Sequence, residues 1–199
     1  MYEAWKSARG LRVFLSGLIL SLSILAFPGR AQNSGKGVVD LDGKPVNPLR
    51  RNDGKIVVLL FVRTDCPISN RYAPAIQEMS SRFAAHTAFY LVYPIKTETP
   101  EQIRKHLSDF GYHLEALRDP ELALVHSSQV HITPEAAVFT GDGRLLYHGR
   151  IDDWFEDFGR ARPAPTTHEL SEAIEAAIAG KNIATATAPA VGCFIPGVS

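Results

Sequence analysis

The chain is poor in cysteine and has no excess of charge of either sign. Lys and Arg together number 21, as do Asp and Glu, so the formal net charge of the 199 residues is zero. No basic patch interleaved with aromatic residues is present, which argues against nucleic acid as a partner. Two cysteines, Cys66 and Cys193, permit one intramolecular disulfide and no other.

The chain also lacks an apolar run of the ~20 residues that a membrane-spanning helix requires. The run from Val13 to Phe27 has 15 residues; it follows a basic start and precedes small residues that end at Ala31. This pattern predicts a signal peptide over residues 1–31, cleaved on export. We therefore expect a periplasmic or otherwise extracytoplasmic protein. An uncleaved leader would instead hold it near the membrane.

Removal of the leader leaves 168 residues, and the loss of its four basic and one acidic residue shifts the net charge from 0 to −3. This length suits one domain with a substantial core. We assign residues 32–180 to that domain and residues 181–199 to a C-terminal tail, which contains Cys193. Two cysteines in an exported protein favour a disulfide between them.

The segment that ends at Cys66 is the most informative in the chain. An apolar run, Val57 to Val62, leads to Cys66, and Pro67 then suits the first position of a helix. Free backbone N–H groups and the helix dipole favour negative charge there, so we expect a lowered thiol pKa. Cys66 is therefore a candidate nucleophile. The alternative is an inert cysteine that fills the core at the end of a strand.

Hydrophobic periodicity and turn residues predict alternating strands and helices. After a short strand near 38–41, the expected order is β, α, β, α, β, α, β, β, α, which implies a three-layer α/β domain with a partly parallel sheet. Sites in such sheets lie at the carboxyl ends of strands, where Cys66 falls. The predicted strands lie near 38–41, 55–62, 88–95, 114–117, 136–139 and 145–147. The first predicted helix covers 67–83, with a kink at Pro74, and the second begins at a capping box at Thr99. The third covers 122–128, and the last begins at a second capping box, Thr166–Glu169, and ends before Gly180.

Cys66 at a strand–helix junction, Pro74 within that helix and Thr133-Pro134 ahead of a hairpin together resemble the thioredoxin superfamily. The nearest group is that of exported bacterial redoxin-domain proteins, which includes peroxiredoxins and thiol–disulfide oxidoreductases. The resemblance covers about residues 35–180. It implies a thioredoxin-like fold with a central mixed sheet flanked by helices, an inserted helix and strand over 97–119, and a cis Pro134, preceded by Thr133, facing the Cys66 thiol.

The chain departs from this family at three positions around the thiol. Ser69 stands where thioredoxins have a second cysteine, so no disulfide closes within the helix turn. Arg63 replaces the Thr or Ser with which peroxiredoxins bind peroxide, and Thr64 is one place too close to Cys66. Asp65 brings a negative charge that opposes a thiolate. Arg63 and Arg71 would offset that charge if their side chains pointed inward.

Cys193 has three interpretations. It resolves the oxidised or mixed-disulfide form of Cys66, or it forms a static disulfide that fastens the tail, or it is a free thiol. Gly192 permits a close backbone approach beside it, and Phe194 and Ile195 supply apolar side chains that would dock the tail on the domain.

These residues predict an exported thiol–disulfide oxidoreductase in which Cys66 attacks and Cys193 resolves. The expected partners are a protein or small-molecule disulfide, or a peroxide, and an external dithiol reductant. No bound cofactor is expected, because electrons pass through sulfur. No histidine has HxxxH or HxH spacing with either cysteine, so no metal site is predicted. The alternatives are a peroxiredoxin-like thiol peroxidase, and a non-enzymatic copper-binding or interaction module with a structural disulfide.

Overall fold

The structure, a computed structural model, describes residues 37–198. The predicted signal peptide, residues 1–31, lies outside the described residues. No helix within residues 37–198 is long and apolar enough to cross a membrane.

The described residues form eleven strands and five helices. The strands are β1 (Val39–Asp40), β2 (Ile56–Phe61), β3 (Thr87–Tyr93), β4 (Glu115–Arg118), β5 (Ile132–Thr133), β6 (Glu135–Phe139), β7 (Leu145–Gly149), β8 (Phe155–Asp157), β9 (Arg160–Ala161), β10 (Thr187–Ala188) and β11 (Cys193–Phe194). The helices are α1 (Pro67–Arg71), α2 (Ala73–Phe83), α3 (Pro100–Asp109), α4 (Ala123–Ser128) and α5 (Glu169–Ile178).

Seven strands form a central mixed sheet in the order β1-β4-β3-β2-β6-β7-β10. β2 lies parallel to β3 and antiparallel to β6. Side chains alternate along β2: Val58 and Leu60 belong to the apolar core on one face, and Val57 and Leu59 to the core on the other. The continuous apolar run predicted a strand buried on both faces, and this is confirmed because both faces of the sheet are covered.

The insertion between β3 and α4 contains α3 and β4, and β4 extends the sheet by pairing parallel to β3. The predicted capping box at the start of α3 is present. Thr99 accepts a hydrogen bond from the backbone N–H of Gln102, whose side chain in turn accepts one from the N–H of Thr99.

The predicted kinked helix over 67–83 is instead two helices, α1 and α2, with a break at Tyr72. Pro74 lies in the first turn of α2. It has no N–H to donate to the carbonyl of Asn70, and its ring crowds that carbonyl. The N–H of Tyr72 turns back to the carbonyl of Ser69. The proline therefore ends one helix and begins the next.

The capping box predicted at Thr166–Glu169 is wrong. α5 begins one residue after His168, which makes no capping bond through its side chain. The Thr166 hydroxyl donates to Asp153, and the Glu169 carboxylate accepts from Arg150. Both residues of the expected box are therefore bound to charged partners from a distant loop, which local spacing does not reveal.

The tail packs against the domain through two short strands. β10 adds to the outer edge of the sheet, parallel to β7. This pairing depends on Gly149, because a Cβ atom there would lie 2.3 Å from the carbonyl oxygen of Ala188. Beyond β10 the chain leads to β11, which pairs antiparallel with β5. The described part of the tail thus runs from the sheet edge to the loop before Pro134.

Candidate active site

The buried thiol of Cys66 lies at the carboxyl end of β2, immediately before α1. Cys66 is the N-cap residue of α1, and Pro67 takes the first helical position. Its side chain is fully covered, with a relative exposure of 0%. The Thr133–Pro134 peptide bond is cis, and the carbonyl oxygen of Thr133 lies 3.2 Å from Cys66 Sγ, where it accepts a hydrogen bond when Cys66 is protonated. The structure thus places Cys66, Thr133 and Pro134 together.

The tail brings Cys193 to the same place. In the β5–β11 pair Cys193 lies opposite Thr133, and its Sγ lies 2.6 Å from Cys66 Sγ. Neither cysteine is in a disulfide in this structure. The tail therefore delivers a second thiol to the buried one, although 127 positions separate them in the chain.

Two tail residues seat β11. Ile195 is buried among the side chains of one core, and its N–H donates to the carbonyl of His131 at 2.9 Å. Gly192 passes so close to the preceding loop that a Cβ atom there would lie 2.1 Å from the carbonyl oxygen of Thr133. No side chain fits at that position unless the strand moves. Phe194, by contrast, points away and is 79% exposed.

The surroundings of Cys66 favour its thiolate. Burial by itself raises the pKa of the Cys66 thiol. Hydrogen bonds from the Cys193 thiol, from the backbone N–H groups of Ser69 and Ile68, and from the Ser69 hydroxyl outweigh burial, so the pKa lies below that of an ordinary cysteine. The Ser69 hydroxyl is buried and has no hydrogen-bond partner among residues 37–198, so its proton is available to a thiolate at Cys66. Ser69 cannot close a local disulfide, but it keeps a donor for the thiolate.

The two thiols are electrostatically unequal. Burial, the hydrogen bond to Cys66 and the charge of Cys66 raise the pKa of Cys193 to about 12, whereas the nearby guanidinium of Arg63 lowers it. One proton shared by the pair therefore resides on Cys193, and the negative charge resides on Cys66. Of the two thiols, Cys66 is therefore the one that ionises more readily.

The two arginines expected to offset Asp65 have different positions. Arg63 forms a two-point ion pair with Asp65, with Nε and Oδ1 2.6 Å apart, so the acidic charge beside the thiol is largely neutralised. Arg71 instead lies over the rings of Trp154 and Phe155, with its guanidinium carbon 4.8 and 5.3 Å from their centroids. Arg63 thus offsets the charge of Asp65, whereas Arg71 does not, because its guanidinium lies on the aromatic rings.

Thr64 is held by a carboxylate that sequence reasoning missed. Its N–H and its hydroxyl both donate to Glu98 Oε1, at 2.6 and 2.7 Å. Glu98 is buried, and this burial raises the pKa of its carboxyl. The available signal was its position: Glu98 follows β3, whose carboxyl end lies beside that of β2. Arg63 and Thr64, the two residues near the position where peroxiredoxins bind peroxide, are thus both paired with carboxylates.

A second missed group is a buried polar chain behind the Cys66 loop. Tyr93 Oη lies 2.9 Å from His106 Nδ1, and His106 Nε2 lies 2.8 Å from Asn70 Oδ1. Asn70 Nδ2 donates to the carbonyl of Thr64 at 3.2 Å. The chain ties the loop to α3 and β3. The available signal was a histidine on the apolar face of α3, three residues after the buried Ile103.

Within residues 37–198 no group of three His, Cys, Asp or Glu side chains lies close enough to hold a metal ion. The side chain of His131, the histidine nearest Pro134 in sequence, is exposed. The described residues therefore do not assemble the copper site of Cys66, Cys193 and a histidine that one alternative required.

Comparison with solved structures identifies the fold. The chain is similar to a hypothetical protein of Sinorhizobium meliloti 1021, with 22% identity, a TM-score of 0.66, and coverage of 81% of this chain and 90% of that one. An uncharacterized conserved protein of Geobacillus kaustophilus gives 19% identity, a TM-score of 0.67, and coverage of 81% and 89%. DsbF of Mycobacterium tuberculosis gives 17% identity, a TM-score of 0.50, and coverage of 69% of this chain and 90% of that one.

The protein thus has a thioredoxin-like fold, and the fold expected from the sequence is confirmed. Within that fold the site is distinctive because its second thiol comes from a C-terminal strand and a serine takes the local position. No family model matches the chain, and no curated protein matches it.

Proposed function

We propose that the protein is an exported thiol–disulfide oxidoreductase in which Cys66 attacks a substrate disulfide and Cys193 resolves the product. The observation that carries this proposal is the contact between the two sulfurs, and the lowered pKa of Cys66 beside the raised pKa of Cys193 supports it. No bound organic cofactor is required, since thiol–disulfide exchange moves the electrons.

The first step joins Cys66 to the substrate. The Cys66 thiolate attacks one sulfur of a substrate disulfide, forms a mixed disulfide and releases the other substrate sulfur as a thiolate. Because Cys66 is fully covered, the tail segment 192–195 must leave β5 before the substrate reaches it. Short strands held by few contacts open at low free-energy cost, which suits this role.

The second step uses the return of the tail. Once Cys66 is in a mixed disulfide it no longer carries the charge that raises the pKa of Cys193, and the guanidinium of Arg63 remains beside Cys193. Cys193 then loses its proton more readily and attacks Cys66 Sγ. This attack forms the Cys66–Cys193 disulfide and expels the second substrate sulfur, which takes up the proton. The substrate is reduced and the protein is oxidised by two electrons.

Single-cysteine variants test this sequence. With a synthetic peptide disulfide as substrate and dithiothreitol as reductant, we expect Cys66→Ser to abolish turnover. Without dithiothreitol, which would itself cleave a mixed disulfide, Cys193→Ser should react once and accumulate a mixed disulfide on Cys66, visible as an added substrate mass. Release of both substrate thiols by Cys193→Ser under these conditions would contradict the resolving role, and turnover by Cys66→Ser above the direct reaction of dithiothreitol would contradict the proposal as a whole.

Export is supported by the leader pattern, a basic start followed by 15 apolar residues and small residues before position 32. Cell fractionation, together with the N-terminal sequence of the mature chain, tests it. We expect a mature protein outside the cytoplasm that begins at Gln32. A chain that retains residues 1–31 in the cytoplasm would contradict export.

A further inference from the structure

We propose that the external thiol that regenerates the oxidised protein attacks the sulfur of Cys193, rather than that of Cys66. This inference rests on the proposed function, since it concerns the Cys66–Cys193 disulfide that the reaction forms. It assigns a second role to the tail: besides resolving the substrate, it carries the sulfur at which electrons enter.

The first argument is access. The sulfurs are already in contact while β11 is seated on β5, so a bond between them leaves the tail in place and Cys66 covered. Cys66 is 0% exposed, whereas Cys193 is part-exposed and is followed by the largely exposed Phe194. A thiolate that arrives from solvent therefore meets Cys193 first, with the Cys66 sulfur behind it.

The second argument is the leaving group. In thiol–disulfide exchange, the thiolate of lower pKa leaves faster. Attack at Cys193 expels Cys66, whose thiolate accepts hydrogen bonds from Ser69 and Ile68. Attack at Cys66 would expel Cys193 while Cys66 carries no charge; burial still raises the pKa of Cys193 more than the guanidinium of Arg63 lowers it, so Cys193 is the poorer leaving group. Exposure to solvent and leaving-group ability therefore both favour attack at the sulfur of Cys193.

The third argument is charge. The guanidinium of Arg63 stabilises negative charge at Cys193, and its Nη1 lies 3.5 Å from the carbonyl oxygen of the adjacent Phe194. An anionic thiolate that approaches Cys193 therefore meets a cation at the rim of the site. Asp65, which pairs with this guanidinium and is exposed, has an opposite but smaller effect on Cys193 than Arg63 has.

The reaction balances as two exchanges. The incoming thiolate bonds to Cys193 Sγ, the bond between Cys193 and Cys66 breaks, and Cys66 departs as a thiolate. The second thiol of a dithiol reductant then attacks the reductant's own sulfur in that mixed disulfide and releases Cys193, which takes up a proton. The reductant is oxidised to a disulfide and both cysteines are reduced.

The test locates a thiol adduct on the oxidised wild-type protein. The protein is oxidised, the loss of both thiols is verified by mass, and reduced glutathione is added briefly at neutral pH. Acid then stops exchange, since thiols react as thiolates. After capping of free thiols with N-ethylmaleimide, trypsin separates the cysteines into two peptides, residues 64–71 and residues 182–199.

We expect glutathione on the peptide 182–199 and maleimide on the peptide 64–71, with Cys193 carrying at least about ten adducts for each one on Cys66. The same reaction in guanidinium chloride is the control. There burial is lost, and the adducts should divide between the two cysteines within about twofold.

Glutathione found mainly on Cys66, or divided equally in the folded protein, would overturn the inference and leave the proposed function standing. A protein that forms no Cys66–Cys193 disulfide, or whose disulfide no thiol reduces, would overturn the proposed function, and this inference with it.

Discussion

Cys66 and Cys193 meet in one site but belong to regions with very different anchorage. The loop that carries Cys66 lies between a strand with a fully buried interior and a helix, and Glu98 and Asn70 hold it from two sides. The segment that carries Cys193 consists of two-residue strands joined by a stretch that is largely exposed or part-exposed.

This difference separates two tasks that one helix turn performs when both cysteines lie in it. The region around Cys66 fixes a charge and its hydrogen-bond donors, and the tail supplies a proton and a sulfur that can withdraw. In the proposed reaction, withdrawal of the tail opens the site to a substrate, and its return closes the site. Substitutions that affect one region and leave the other intact can therefore separate access from reactivity.

The largest effect is expected from Gly192→Ala, which disturbs the tail alone. Its Cβ would lie 2.1 Å from the carbonyl oxygen of Thr133, so β11 must shift. Because a misplacement of about 1 Å can cost about a hundredfold in rate, we expect disulfide formation between the two cysteines to slow by more than about tenfold. Alkylation of Cys66 should rise, since its cover is displaced. The measurement is the loss of both thiols over time with oxidised glutathione.

The matched control is Gly180→Ala, at the start of the tail. A Cβ there meets nothing within 4 Å, although the positive φ of 64° carries some strain. We expect a disulfide-formation rate within about twofold of the wild type. An unchanged rate in Gly192→Ala would show that the seat of β11 on β5 does not align the sulfurs.

A smaller effect is expected from Ser69→Ala, which changes the region around Cys66 and leaves the tail intact. Loss of the hydroxyl removes a donor to the thiolate, so the pKa of Cys66 should rise and its reactivity at pH 7 should fall about threefold to tenfold. Titration of thiolate absorbance measures this, because Cys193 ionises at much higher pH. The control Ser81→Ala, which removes an exposed hydroxyl on α2, should leave the titration midpoint of Cys66 unchanged. A midpoint that stays fixed in Ser69→Ala would contradict the role of this hydroxyl.

Glu98→Gln should alter the pH dependence of stability. Burial raises the pKa of the Glu98 carboxyl, so the folded state holds its proton more tightly than the unfolded state. Its contribution is therefore fully present below the unfolded pKa and is lost as the pH rises through the folded pKa. Glutamine keeps an oxygen to accept from Thr64 and does not titrate. We expect Glu98→Gln to gain on the wild type by about 1 kcal/mol between acid and neutral pH.

The readout is the difference in unfolding free energy between variant and wild type at each pH. The difference is needed because burial lowers the pKa of His106, whose contribution is lost as the pH falls and so opposes that of Glu98 in the wild-type profile. A difference that does not change with pH would show that Glu98 does not titrate in this interval.

The smallest effects are expected from substitution of Arg63 and Arg71. These substitutions compare an arginine beside Cys193 with one that lies on aromatic rings. Arg63→Ala should slow the resolving step about twofold to threefold, because Cys193 loses a nearby cation. Arg71→Ala should leave both sulfurs unaffected, since its guanidinium lies on aromatic rings. Single-turnover kinetics with a peptide disulfide measure both. A larger loss in Arg71→Ala than in Arg63→Ala would contradict these positions.

Features that depend on local chemistry could be predicted from the sequence. The apolar run before Cys66, Pro67 at the first helical position and the Thr99 capping box each act within a few residues, and each appears in the structure. The proximity of Thr133-Pro134 to the thiol came from a family resemblance. This contact joins residues 67 positions apart, and hydrophobic periodicity alone does not reveal a contact between such distant positions.

Features that depend on distant partners could not be predicted in this way. Glu98 reaches Thr64 across 34 positions, and His106 reaches Asn70 across 36. A two-residue strand such as β11 has no alternation to detect, so its place on β5 was hidden although Gly192 was noticed. The start of α5 was mispredicted because Asp153 and Arg150 bind the residues expected to cap it.

The closeness of the two sulfurs also has a topological consequence. A bond between residues 127 positions apart would turn most of the domain into a covalent ring, which restricts the unfolded chain by roughly 5 kcal/mol in the chain-entropy description. The oxidised protein should then resist unfolding, while the reduced protein frays first at its C-terminal end. Proteolysis of that end would report the redox state of the protein.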